Sequence, residues 1–180
     1  MVLPLVLFAC SAAVSFGLTA VVRRYAIQRA ILDVPNARSM HDAPVPRGGG
    51  LAIVITLMLG LPLLTAFAGV PAAWTIALVG GGLPIAVVGW LDDRRGVRRR
   101  IRALVHFAAA AWALYWLGGL PALSIGGTLV PLPFVGTLLA AIGIAWSINL
   151  YNFMDGIDGI AGTQAVTVGA AAAVLMILAG

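Results

Sequence analysis

The chain is 180 residues long, with 62% hydrophobic residues, only 9% charged residues and a mean hydropathy of +1.06. Those values exclude an ordinary water-soluble domain, in which about a quarter of residues are charged. The net charge of +5 comes from eleven arginines against six aspartates, with no lysine or glutamate. Beside apolar spans, such a basic balance points to phospholipid and membrane topology rather than to nucleic acid.

Apolar runs of the length a helical bilayer crossing needs, roughly 20 residues, fall near Val2–Val22, Gly49–Ala68, Ala73–Leu91, Ala103–Leu117, Pro133–Leu150 and Ile160–Leu178. The expected fold class is all-α: a polytopic integral membrane protein of about six transmembrane helices in a single transmembrane domain over residues 1–180. Cys10 is the only cysteine, so no intrachain disulfide forms. Leu7-Phe-Ala-Cys10 faintly resembles a lipoprotein cleavage box, but the positive charge, Arg23 and Arg24, follows the apolar stretch instead of preceding it. The first span is therefore expected to be an uncleaved helix with its N-terminus outside.

The first charged segment holds Arg23, Arg24, Arg29, Asp33, Arg38, Asp42 and Arg47. It closes with a proline-bounded connection ending Arg47-Gly48-Gly49-Gly50 at the foot of the second span. Gly48 and Gly49 at a helix start let the backbone approach a phosphate closely, and Arg47 adds charge. The same glycines also serve a plain flexible lead-in. His41 reads as a hydrogen-bonded loop residue.

Asp92 and Asp93 end the third span, and Arg94, Arg95, Arg98, Arg99, Arg100 and Arg102 follow them. Adjacent helical residues diverge by about 100°, so the pair is expected to divide, one carboxylate facing a site and the other a basic partner. A simple membrane-edge cluster offset by Arg94 and Arg95 remains the other reading. Carboxylates at a helix C-terminus oppose its dipole, so their placement needs a reason. His106, one turn after Arg102, reads as a helix-facing polar contact rather than a metal ligand. Further on, Leu123–Leu129 alternates around Gly126-Gly127, the signature of a small β-hairpin with a two-residue turn.

The third charged segment is Asn149-Leu-Tyr-Asn152-Phe-Met-Asp155-Gly-Ile-Asp158-Gly159. Each three-residue step turns back by about 60° on a helix, so Asn152 and Asp155 share one space while Asn149 and Asp158 face opposite sides. The glycines predict a helix end, a tight turn and the start of the last helix. Backbone N–H groups at that start favour an anion. The oxygens of Asn152 and Asp155 suit a hard cation such as Mg2+. Aspartates also act as plain N-caps there, yet two Asp-Gly pairs after two asparagines at a membrane edge favour function. The arginine loops after the first and third spans alternate with connections near 69–72 and 118–132 that hold no arginine. The positive-inside rule thus puts all three polar segments on the cytoplasmic side.

Taken in order, Asp33-x-Pro-x-x-Arg-x-x-His41, Pro46-x-Gly-Gly49, Asp92-Asp93 and Asn149-x-x-Asn-x-x-Asp-Gly-x-Asp-Gly159 resemble the polyprenyl-phosphate N-acetylhexosamine-1-phosphate transferases of glycosyltransferase family 4. The third segment looks most like the O-antigen-initiating branch. The resemblance implies attack of a polyprenyl phosphate, such as undecaprenyl phosphate, on the β-phosphorus of a UDP-N-acetyl amino sugar, giving lipid-diphosphate-sugar and UMP. It implies Asp92, Asp93, Asp155 and Asp158 as catalytic residues. Arg47, Gly48, Gly49, Arg102 and Asn149 become substrate-binding residues, and Asn152 with Asp155 hold Mg2+, or Mn2+ in its place. The expected setting is the cytoplasmic face of a bacterial inner membrane, with the lipid bilayer and a second copy of the chain, in a homodimer, as further partners. The resemblance covers only the first half of the family. The family's later metal-binding aspartate and histidine-rich loop have no counterpart here, so the expectation is an N-terminal part of a larger transferase domain, inactive alone. The alternatives are a transport or channel module, or a non-catalytic lipid-binding membrane remnant. Against a channel, every carboxylate lies at a membrane edge and none at mid-span.

Overall fold

A computed structural model of the chain describes residues 2–33, 44–46, 48–154 and 159–179. Six helices form in the expected order: α1 (Val2–Gln28), α2 (Gly50–Ala68), α3 (Ala72–Arg95), α4 (Arg99–Leu117), α5 (Pro133–Met154) and α6 (Ile160–Ala179). Five of them, all but α4, are long and apolar enough to cross a membrane. Three of the first four residues of α4 are arginines, and the remainder from Ala103 is 15 residues long. That is about 22 Å of helix against a hydrocarbon core of about 30 Å. The protein is an all-α, polytopic membrane protein with two small strand pairs.

Several helices overrun their hydropathic limits. α1 continues past Val22 to Gln28, and α3 continues past Leu91 to Arg95. Arginine is a good helix former and its long side chain snorkels to the interface, so charge ends the apolar run without ending the helix. Between α4 and α5, β3 (Leu123–Ile125) pairs antiparallel with β4 (Thr128–Val130), with Ile125 opposite Thr128. Gly126 and Gly127, at φ of +57° and +82°, form the two-residue turn that the right-handed strand twist requires. A second pair, β1 (Leu32–Asp33) with β2 (Val45–Pro46), joins the two ends of the connection after α1.

Neighbouring helices pack in sequence, α1 on α2, α2 on α3, α3 on α4 and α4 on α5. The seams are made of small residues: Ala26, Ala52, Ala77, Ala109, Ala110 and Ala145 are all buried. Large apolar side chains such as Phe8, Phe16, Phe67, Leu104 and Phe134 point outward. Lipid is as apolar as leucine, so membrane helices gain by close backbone approach and not by hiding large side chains. The α3–α4 seam is the clearest case. Trp112 lies across Gly80 and Gly81 and donates its indole N–H to the Ile76 carbonyl at 2.9 Å.

Candidate functional site

The charged end of α3 turns into α4 within three residues. Gly96, at φ +67°, ends α3 and gives its N–H to the Asp92 carbonyl at 2.9 Å. That turn swings the next N–H, of Val97, onto Asp92 Oδ1 at 2.7 Å. The other carboxylate oxygen, Oδ2, accepts from the guanidinium of Arg102 in an ion pair. A carboxylate set against its own helix dipole is thus explained. It satisfies the connection's backbone and offsets one of three arginines crowded into the first turn of α4.

Asp92 also opens onto a cavity of about 730 Å³ between α3, α4 and α5. Arg102, His106, Ser147, Tyr151 and Asn152 share its polar part, while Val88, Leu114, Leu120 and Ile144 line its apolar part. The expected division of labour between the two aspartates therefore takes another form, because Asp92 both meets the basic partner and faces this cavity. Asp93 points elsewhere. It lines a cavity of about 70 Å³ with Gly48, Tyr25, Trp90 and Arg94, where α1, α2 and α3 converge. Arg94 stacks over the Trp90 ring, 4.1 Å from its centroid. Gly48 and Asp93, from the first and second charged segments, thus come together across 45 residues of sequence.

A third cavity, of about 290 Å³, lies on the other side of the α4–α5 seam, lined by Arg99, Arg102, His106, Trp146 and Asn149. Asn149 and Asn152, about 60° apart around α5, therefore border different cavities. Arg102 and His106 border both cavities. Gly49 sits exposed in the turn that leads into α2. Arg47, Asp155 and Asp158, with His41, lie outside the described residues. α5 is described as far as Met154, and α6 begins at Ile160 after Gly159, at φ +77°, which is the helix restart expected there; the expected turn at Asp155 and Asp158 lies outside the described residues. Among the described residues no three His, Cys, Asp or Glu side chains cluster as a metal site. Ser147 and Tyr151 were missed by sequence reasoning. Their signal was two hydroxyls one helical turn apart, interleaved with Asn149 and Asn152 at the end of an apolar span.

The sequence pattern of glycosyl transferase family 4 matches residues 74–180, which takes in the Asp92–Arg102 pair and both asparagines. The chain belongs to glycosyl transferase family 4. Within that family it is 32% identical over 168 residues to the decaprenyl-phosphate N-acetylglucosaminephosphotransferase of Mycolicibacterium smegmatis, covering 84% of this chain and 39% of the relative. It is 31% identical to the undecaprenyl-phosphate alpha-N-acetylglucosaminyl 1-phosphate transferase of Yersinia pestis, over 79% of this chain and 39% of that one. A probable undecaprenyl-phosphate N-acetylglucosaminyl 1-phosphate transferase of Bacillus subtilis is 30% identical, over 91% of this chain and 45% of its own. The family 4 chain thus spans about two fifths of the length of the curated relatives it matches. No solved structure matches it.

Proposed function

We propose that the chain carries part of a transferase that moves an N-acetyl amino-sugar 1-phosphate from a UDP-sugar to polyprenyl phosphate. The reaction is placed at the cytoplasmic face of a bacterial inner membrane, where it begins a cell-envelope polysaccharide such as O-antigen. The observation that carries this reading is the cavity between α3, α4 and α5, where Asp92, Arg102 and Asn152, distant in sequence, meet at one end of an apolar hollow. A charged phosphate and a hydrocarbon chain in one substrate call for such a combination. The relatives' names support both the polyprenyl phosphate acceptor and N-acetylglucosamine phosphate as the group moved.

In this reading Arg102, with one N–H given to Asp92, keeps further guanidinium donors for phosphate oxygens. Asp92 holds that guanidinium in place. Asp92 also faces the lipid phosphate in the larger cavity and orients it, while Asp93, beside Gly48 and Arg94, is the catalytic carboxylate of the neighbouring cavity. A phosphate monoester with second pKa about 6 is already mostly dianionic at neutral pH, so orientation matters more than base strength. Asn149 and Arg99, in the smaller cavity, contact the nucleotide sugar, with Arg47 and Gly49 at the foot of α2 reaching the pyrophosphate. Asp155 and Asp158 are the further catalytic carboxylates of this reading.

The donors on the larger cavity are mostly oxygens, the type a hard cation takes: the Asn152 carboxamide and the Ser147 and Tyr151 hydroxyls. Asn152, with Asp155 three residues on, is the pair that would hold Mg2+ or Mn2+. When bound, the ion supplies charge neutralisation on the pyrophosphate.

The test is release of UMP from UDP-N-acetyl amino sugars by the complete membrane-embedded transferase that carries this segment, with undecaprenyl phosphate and Mg2+. Asp93→Asn and Arg102→Met are each expected to lower turnover by about two orders of magnitude, the usual cost of a lost charge at such a site. Near-native turnover in both variants, or no UMP release by that complete enzyme from any such donor, would refute the reading.

A further inference from the structure

His106 is the one buried polar side chain among the described residues, 9% exposed, and it makes no hydrogen bond with any of them. The other buried positions of α4 are Ala109, Ala110 and Leu114, so packing alone would be served by another aliphatic residue. Its ring nitrogens are not sealed off: among the described residues only Trp116 Nε1 is fully enclosed without a partner, so the imidazole opens onto space that a ligand can share. His106 lies one helical turn from Arg102, on the same face, and borders both the larger cavity, with Asp92 and Asn152, and the smaller one, with Arg99 and Asn149. A phosphate held by Arg102 from either side therefore comes within reach of the imidazole.

We propose that His106 is a further substrate-binding residue, donating a hydrogen bond to the phosphate or pyrophosphate group that Arg102 holds at the junction of the two cavities. The proposal rests on the phosphate-binding role given to Arg102 above. It requires hydrogen bonding and not charge. Glutamine, with a donor at similar reach, should replace His106, whereas phenylalanine fills the space and offers none.

Inorganic pyrophosphate, without metal, is the probe, and the chain in lipid nanodiscs is titrated with it. The chain has two histidines, so the imidazole resonance missing from His106→Gln identifies His106. That resonance should move as pyrophosphate binds, and Arg102→Met should abolish the movement. His106→Phe should weaken pyrophosphate binding by about tenfold or more, and His106→Gln by no more than about threefold, as expected for loss or retention of one hydrogen bond to a charged group. A His106 resonance that stays still at saturation would overturn the proposal. So would a phenylalanine variant that binds as tightly as the native chain, or a glutamine variant as weak as the phenylalanine one. Absence of UMP release by the complete enzyme would refute the transferase reading alone, because pyrophosphate binding is measured without turnover.

Discussion

Gly80→Ala places one methyl group where the α3–α4 seam has no room for it. A Cβ at Gly80 would lie 2.7 Å from Cε2 and 2.9 Å from Cζ2 of Trp112, and closer still to its Nε1. The indole cannot withdraw freely, because Nε1 is committed to the Ile76 carbonyl. Overpacking typically costs about 1–3 kcal/mol, the lost hydrogen bond adds about 1, and alanine's better helix propensity returns about 1. Trp112 is 41% exposed and has lipid to move into, which sets the net loss near the low end, at about 1–2 kcal/mol. Reversible unfolding in mixed detergent and SDS micelles, followed by circular dichroism, measures it. The same substitution in a Trp112→Phe background should cost less, since the smaller ring has no N–H to surrender. A Gly80→Ala chain as stable as the native one, or an equal cost in both backgrounds, would refute the notch-and-key account of this seam.

Asp92→Asn keeps an acceptor for the Val97 N–H but loses the charge facing Arg102; with Arg102→Gln in a double-mutant cycle, the coupling should be about 1–2 kcal/mol, between exposed and buried pairs, and a coupling near zero would remove the pair as a fastening. Val97→Cys in a Cys10→Ala background should be labelled by an impermeant thiol reagent from the cytoplasmic side alone, and periplasmic labelling would overturn the proposed orientation. Chelation of divalent ions should abolish UMP release and Mg2+ restore it, with Asn152→Ala raising the Mg2+ needed for half-maximal activity by about tenfold or more; an unchanged Mg2+ requirement would remove Asn152 from the metal site.

The helices were legible because hydrocarbon imposes a length and a composition on anything that crosses it. The β3–β4 hairpin was legible because Gly126-Gly127 between alternating residues is a local signal. Helix ends were less so, since hydropathy reports where charge begins and α1 and α3 run on through arginines that favour helix. The β1–β2 pairing left no trace, because Leu32 meets Pro46 across a connection whose composition says only that it turns. The candidate residues were legible as charged segments in an apolar chain, but their grouping was not. That Asp92 joins Arg102 while Asp93 joins Gly48 depends on the direction in which α3 presents each residue at its end. His106 carried the opposite lesson: a polar residue in an apolar helix was visible, and only burial between two cavities gave it weight.

α4 is fastened to α3 at two places, by the Arg102–Asp92 pair near its start and by Trp112 over Gly80 toward its end. Ten residues of helix separate the fastenings, about 15 Å along the axis. One pin allows a helix to pivot; two so far apart forbid both pivot and slide. α3 and α4 therefore behave as one stiff plank, with Arg102 and His106 at fixed heights along it. Among the described residues no hydrogen bond or ion pair pins α4 to α5, and both cavities bordered by Arg102 lie along that seam. Any adjustment of those cavities to a ligand falls to α5, which carries Asn149 and Asn152 toward or away from a stationary wall.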